Sequence, residues 1–129
     1  MKILLPLLLA SVLVLTGCAA PKASANSYRQ ASMQEAMELM ASETDAIILD
    51  VRTTAEYESG HIPGAICIPN ETIGTADIPE LPDKEQLILV YCRSGNRSKQ
   101  ASDKLAKLGY TNIVEFGGIN AWPGEIVTE

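Results

Sequence analysis

The segment LILVYCRSGNRSKQASDKLAKLGY, residues 87–110, contains the pattern from which the fold class follows. Residues 87–91 form a continuous apolar run, which predicts a strand buried on both faces of a sheet. Residues 98–110 have apolar side chains at helical spacing and a glycine near the end, which predicts a helix. Cys92 and the polar or small residues 93–98 lie between the two patterns. We therefore predict a strand, a loop that begins with a cysteine, and a helix.

The rest of the chain repeats this alternation of strand and helix patterns. Apolar runs rich in β-branched residues predict further strands at residues 46–51, 65–68 and 111–118. Residues 31–42 have a helical pattern, and a short helix is predicted to end at Gly60. Each of these helices starts with a capping box, formed by Ser32 with Glu35 and by Thr53 with Glu56. The methionines at helical spacing are predicted to be core residues: Met33, Met37 and Met40.

Continuous apolar strands that alternate with helices indicate an α/β fold with a mostly parallel sheet covered on both faces. Ligand sites in such sheets lie beyond the carboxyl ends of the strands, which is where Cys92 is placed. With 129 residues the chain is long enough for one domain, which we predict to be complete as a monomer. A net charge of −6 argues against nucleic acid as a partner. Three cysteines and one histidine are too few and too scattered for a zinc site.

The N-terminal segment has the features of an export signal. Residues 1–17 contain an early lysine and an apolar run that is shorter than the roughly 20 residues needed to span a bilayer. LTGC, residues 15–18, resembles the lipobox of bacterial lipoproteins, in which the cysteine receives a diacylglycerol. We therefore expect lipidation at Cys18, a flexible tether over residues 18–27, and a folded domain over residues 28–127. The alternative is that Cys18 is an ordinary small residue near a cleavage site.

A lipidated Cys18 would place the protein in the cell envelope, outside the cytoplasm. The lipid would hold it on the periplasmic side or on the outer face of the plasma membrane. Two or more acyl chains would anchor it stably.

The loop after the apolar strand has the composition of an anion-binding site. Backbone N–H groups of such a loop can converge on one point, and the helix that follows adds partial positive charge at its start. Arg93 and Arg97 add full charges, and Gly95 permits a tight turn. In these surroundings a cysteine is expected to ionise readily and to act as a nucleophile. The alternative is that Cys92 is a small buried hydrophobic residue.

Four motifs, in this order, resemble those of the single-domain rhodaneses. They are DVR with Glu56, GHIPGA at residues 60–65, YCRSGNRS at residues 91–98 and GYTNIVEFGGINAW at residues 109–122. The resemblance implies a five-stranded parallel sheet between two layers of helices. It also implies sulfurtransferase activity of the thiosulfate:acceptor type, without a metal or an organic cofactor.

The resemblance implies that Cys92 is the catalytic residue and carries sulfur as a persulfide. The donor would be a small anion such as thiosulfate, and the acceptor a thiol or cyanide. Phosphatases similar to rhodaneses have a loop one residue longer, so four residues between Cys92 and Arg97 favour sulfur over phosphoryl transfer. The substrate-binding groups would be the loop residues Arg93, Ser94, Gly95, Asn96, Arg97 and Ser98.

Other polar residues near these motifs are assigned structural roles or positions at the edge of the pocket. The resemblance places His61 in a structural turn, and Asp50, Arg52 and Glu56 are expected to form ion pairs. Arg52 and Cys67 are candidates for the edge of the pocket. Two alternative functions remain open: a binding module without catalysis, and a redox protein in which Cys92 and Cys67 form a disulfide.

Overall fold

The structure is a computed structural model that describes residues 27–129. Signal peptide cleavage, lipidation of Cys18 and nearly all of the tether are predictions that lie outside the described residues. Within residues 27–129, no helix has both the length and the apolar character needed to cross a bilayer. The strands are β1 (Arg29–Gln30), β2 (Ile47–Asp50), β3 (Ile66–Cys67), β4 (Ile88–Cys92) and β5 (Ile113–Gly118), and the helices are α1 (Met33–Ser42), α2 (Thr54–Ser59) and α3 (Asn96–Lys107).

The five strands form one parallel sheet in the order β1-β5-β4-β2-β3, which confirms the predicted α/β fold. Strand β4 is the central strand, and all five of its residues are buried. Because every strand is parallel, the carboxyl ends of β2, β4 and β5 meet at one edge of the sheet. Cys92, the last residue of β4, therefore lies at the edge where α/β proteins bind ligands.

Helices cover the sheet on both faces, as predicted. Helix α3 packs Ala101, Leu105 and Ala106 into one core cluster with Val90 and Cys92 of β4. On the opposite face, Ala36 of α1 and Tyr57 of α2 join the cluster around Leu89 and Tyr91. Alternate residues of β4 thus contribute to two cores, which explains why its sequence is continuously apolar.

Local signals account for the starts of α1 and α2. Ser32 Oγ accepts a hydrogen bond from the Glu35 N–H (3.1 Å), and Thr53 and Glu56 form the complete capping box. The methionines of α1 are less buried than predicted: Met33, Met37 and Met40 are each partly exposed. Ala36 is the only fully buried residue of that helix. Met33 and Met40 pack against the core from its margin.

The structure differs from the predicted boundaries at the cysteine loop. Strand β4 includes Cys92, and α3 begins at Asn96, two residues before the predicted start. The loop proper therefore consists of residues 93–95, and Asn96, Arg97 and Ser98 form the first turn of α3. Strand β1 has two residues and no apolar pattern, and the sequence did not predict it.

A buried ion pair fixes the segment after β2. Arg52 Nη2 lies 2.7 Å from Asp50 Oδ2, and it also donates a hydrogen bond to the Gly60 carbonyl (2.7 Å). Both side chains are nearly inaccessible to water. The pair ties β2 to the end of α2, as expected for ion pairs that hold this loop.

We predict that Asp50→Ala destabilises the protein by about 3–5 kcal/mol, because it leaves a buried guanidinium without a charged partner. The free energy of unfolding in urea measures the effect. Lys107→Gln is the matched control, since it breaks an ion pair of α3 that is largely exposed. This control should change stability by less than about 0.5 kcal/mol. Equal effects of the two substitutions would contradict a structural role for the buried pair.

Candidate active site

Two glycines determine the path of the loop that follows Cys92. Gly95 has φ of +110°, in the left-handed region that side chains with a Cβ rarely adopt, and it immediately precedes α3. Gly118 of β5 lies against the loop so closely that an added Cβ would be 2.0 Å from the Arg93 carbonyl oxygen. That oxygen accepts a hydrogen bond from the Asn120 N–H (3.2 Å). The first peptide of the loop is therefore fixed against the end of β5.

The loop surrounds the Cys92 sulfur with hydrogen-bond donors. The Gly95 N–H donates to Cys92 Sγ (3.0 Å), and Ser98 Oγ lies 3.4 Å from the same sulfur. Burial, the largest single effect, favours the neutral thiol. Hydrogen bonds from Ser98 and from the Gly95 and Ser94 N–H groups outweigh burial, so the pKa of Cys92 lies below its ordinary value. These donors therefore stabilise negative charge on the Cys92 sulfur.

The two arginines of the site have different surroundings. Arg97 donates from both terminal nitrogens to the carboxylate oxygens of Glu56 (2.7 and 3.0 Å), which joins α3 to α2. Its hydrogen bonds lower the pKa of Glu56 to about 2. The stability that this ion pair contributes is thus fully present above pH 4.5, the ordinary pKa of a glutamate. It is lost as the pH falls through about 2, where Glu56 becomes protonated in the folded protein. Arg93 is exposed and forms no ion pair with any of residues 27–129.

Among the described residues, the hydrogen bonds and ion pairs of the two candidates for the edge of the pocket go to groups outside the cysteine loop. Arg52 directs its guanidinium to Asp50 and Gly60, as described above. Cys67 is half-buried in β3, and its thiol donates to the Arg52 carbonyl (3.6 Å). Burial and the charge of Asp50 raise the pKa of this thiol to about 11. A structural role for Arg52 and an unreactive Cys67 are the simplest interpretations of these contacts.

The positions of the strands argue against a disulfide between Cys67 and Cys92. Cys67 is level with Asp50 of β2, and Asp50 is level with Tyr91 of β4. Two strand spacings, roughly 9–10 Å, therefore separate Cys67 from β4. A disulfide needs Cα atoms within about 7 Å. The redox alternative would require the backbone to move.

Two further residues complete the description of the site. His61 is buried, its Nδ1 lies 2.9 Å from the Tyr57 carbonyl oxygen, and its ring stacks on Tyr57 at 3.8 Å. These contacts fit a structural turn. Glu115 of β5 is buried beneath the loop and contacts Ser98 (2.7 Å), which sequence reasoning missed. The available signal was a charged residue inside an apolar strand, because such a residue must find a partner.

Comparison with known proteins identifies the family. The family model for the rhodanese-like domain matches residues 32–125, which include the whole sheet except β1 and all three helices. The chain belongs to the rhodanese-like family. In this rhodanese-like domain, the cysteine that the sequence motifs singled out is the last residue of β4, directly before the loop.

Curated relatives and solved structures agree with this assignment. The chain is 37% identical over 71 residues to thiosulfate sulfurtransferase PspE of Escherichia coli (strain K12). The matched segment covers 55% of this chain and 68% of PspE. It is 39% identical over 84 residues to a sulfurtransferase of Allochromatium vinosum, covering 64% of this chain and 77% of the relative. A solved rhodanese with anions from E. coli has a TM-score of 0.59 and 32% identity, covering 65% of this chain and 99% of that one. The protein is a rhodanese-type sulfurtransferase.

We predict that iodoacetamide modifies Cys92 in strong preference to Cys67 at about pH 8. The pKa of Cys92 is lowered and that of Cys67 is raised to about 11, so their thiolate fractions should differ by about a hundredfold or more. Peptide mass spectrometry of the partly alkylated protein gives the two rates. Cys67→Ser should leave the Cys92 rate unchanged. Because burial of Cys92 also slows its reaction, the rates are compared across about pH 6 to 10, and an equal pH dependence at the two thiols would contradict the described electrostatics.

Proposed function

We propose that Cys92 carries a sulfane sulfur, as a persulfide, from an anionic donor of the thiosulfate type to a thiol or cyanide acceptor. One observation carries the proposal: backbone N–H groups of Ser94 and Gly95, together with Ser98, face the Cys92 sulfur. These donors stabilise negative charge on sulfur both before and after transfer. Their action is analogous to that of an oxyanion hole.

The first half of the proposed reaction loads the cysteine. The Cys92 thiolate attacks the outer sulfur of thiosulfate and forms an Sγ–S bond. The S–S bond of thiosulfate breaks, and sulfite leaves with the electron pair. In the second half, the acceptor attacks the outer sulfur of the persulfide, the Sγ–S bond breaks, and the Cys92 thiolate returns. Two covalent half-reactions predict ping-pong kinetics.

The shape and charge of the site favour a small anionic donor. Cys92 is only 1% exposed, so a donor must present the reacting sulfur as a terminal atom. Arg93 is the charged loop residue that remains available to an anion, because Arg97 is paired with Glu56. The helix start at Asn96 adds partial positive charge beside it. The similar protein PspE is named a thiosulfate sulfurtransferase, and the similar E. coli rhodanese is described with anions.

The test is intact-protein mass spectrometry of the protein before and after incubation with thiosulfate. We expect a gain equal to one sulfur atom, which cyanide then removes as thiocyanate. Cys92→Ser should show no gain, whereas Cys67→Ser should gain sulfur like the wild type. A gain that survives in Cys92→Ser would contradict the assignment of the carrier.

A different donor would change the substrate but not the chemistry. If thiosulfate gives no gain and an organic persulfide does, the donor class in the proposal is wrong and the carrier is retained. If no donor loads Cys92, the sulfur-carrier proposal fails, and the loop would then act as a binding module.

We also propose that a lipid on Cys18 holds this enzyme at a membrane outside the cytoplasm. The support is the apolar segment over residues 3–15, followed by LTGC at residues 15–18. We expect Cys18→Ser to move the protein from the membrane fraction to the soluble fraction and to abolish labelling by a radioactive fatty acid. Ala19→Ser is the control and should remain in the membrane fraction. Unchanged labelling in Cys18→Ser would exclude this anchor.

A further inference from the structure

The carboxylate of Glu56 engages both terminal nitrogens of Arg97. Arg97 Nη1 lies 2.7 Å from Glu56 Oε1, and Nη2 lies 3.0 Å from Oε2. Each carboxylate oxygen thus accepts from a different nitrogen, which is the bidentate geometry of a strong charge-assisted pair. The hydrogen bonds from Arg97 are the main cause of the low pKa of Glu56, about 2, so this carboxylate is ionised at neutral pH. The pair therefore leaves no net charge on Arg97 for other ligands.

Arg97 itself is placed to act on an anion at Cys92. It belongs to the first turn of α3 and precedes Ser98, whose Oγ lies 3.4 Å from Cys92 Sγ. Its guanidinium is close enough to the sulfur for the two charges to interact. The unpaired N–H groups at this end of the helix add partial positive charge. An arginine without a partner at this position would therefore attract a small anion that approached the sulfur.

Stability alone does not account for the pairing of this arginine. The side chains of Arg97 and Glu56 are 27% and 29% exposed, and ion pairs exposed to this degree contribute little to the free energy of unfolding. Glu71, which follows β3, also attracts Arg97. Glu71 is exposed, however, and among residues 27–129 it forms no ion pair with Arg97, so water and salt screen its charge. Glu56 is thus the carboxylate that cancels the positive charge of Arg97 beside the site.

We propose that Glu56 is a specificity-determining residue, which limits the affinity of the site around Cys92 for anions by holding Arg97. The inference rests on the proposed function, in which the donor thiosulfate and the leaving group sulfite are both small anions. Sulfite must dissociate before an acceptor can reach the persulfide. A second free arginine would bind donor and leaving group alike, and such uniform binding does not raise the turnover rate. With Arg97 held by Glu56, Arg93 attracts the donor and sulfite still leaves.

The test measures how well inorganic sulfate protects Cys92 of the full chain from iodoacetamide, at neutral pH and constant ionic strength. Sulfate is an anionic probe that transfers no sulfur. We expect Glu56→Gln to be half-protected at about one tenth of the sulfate concentration that wild type needs, since a unit charge near an anion in a partly solvated site changes its binding by roughly tenfold. Glutamine can also form a capping box, so α2 should still begin after Thr53.

Two further variants separate the charge of Glu56 from a structural effect. Glu58→Gln is the matched control, because it removes the same charge from an exposed position of the same helix. Its half-protecting concentration should stay within about twofold of the wild-type value, because water and salt screen that charge. The double variant Glu56→Gln/Arg97→Gln should lose the gain in sulfate affinity, since the freed cation is absent. Looser packing between α2 and α3 would instead persist in the double variant.

Equal sulfate protection of wild type and Glu56→Gln would overturn the proposal. A gain of the same size in Glu58→Gln, or a gain that persists in the double variant, would overturn it as well. In the assay of sulfur transfer, sulfite should inhibit Glu56→Gln at a lower concentration than wild type, and unchanged inhibition would contradict the role in release of the leaving group.

Failure of this inference can be distinguished from failure of the proposed function, because the sulfate test uses no sulfur donor. If a persulfide forms on Cys92 and Glu56→Gln binds sulfate like wild type, the role of Glu56 fails alone. If Glu56→Gln gains affinity for sulfate and no donor loads Cys92, the proposed sulfur transfer fails, and the limit that Glu56 sets on anion binding stands.

Discussion

At Gly95 the backbone turns through a conformation that only glycine adopts readily, and this turn directs N–H groups of the loop toward the Cys92 sulfur. Strand β5 permits this conformation, because Gly118 has no side chain that would collide with the Arg93 carbonyl oxygen. Helix α3 can therefore begin at Asn96 with its first turn beside the sulfur. The start of α3, the lowered pKa of Cys92 and the close contact between the loop and β5 are all linked to this turn.

Hydrogen-bond donors of Ser98 and of the loop backbone, rather than arginine charges, are the main groups that lower the pKa of Cys92. Arg97 has the charge expected for an anion site, but Glu56 balances it in an ion pair that joins two helices. Arg52 is likewise balanced by Asp50 and serves the fold. In the proposed transfer, the N–H groups around Cys92 have fixed positions and need no reorganisation as negative charge leaves Sγ and remains on the outer sulfur of the persulfide. Such an arrangement suits the proposed sulfur transfer, in which the nucleophile, the intermediate and the leaving group are all anionic.

Local patterns in the sequence were sufficient to predict most of the fold and the position of Cys92. The N-cap at Ser32, the capping box at Thr53 and the apolar run before Cys92 depend on residues close in sequence, and the structure confirms them. Of the capping box predicted at Ser32, the structure shows the hydrogen bond from the Glu35 N–H to the Ser32 side chain. Strand β1 was missed because its two residues become a strand only by pairing with β5. The start of α3 was predicted late because it depends on the conformation of Gly95.

The unpredicted features of the site are contacts between residues far apart in the chain. The partner of Arg97 is 41 residues away, and Glu115 is 17 residues from Ser98. No spacing rule gives such pairs before the fold is known. The charged residues can be identified in the sequence, and the position of Glu115 within an apolar strand indicated that this carboxylate needs a hydrogen-bonding partner.

A crystal structure of the protein after incubation with a sulfur donor tests the central claim most directly, because it shows which groups hold the transferred sulfur. The account predicts a second sulfur atom bonded to Cys92 Sγ, within hydrogen-bonding distance of the backbone N–H groups of the loop. A loaded cysteine whose outer sulfur turns away from those groups, or a sulfur found on Cys67, would contradict it.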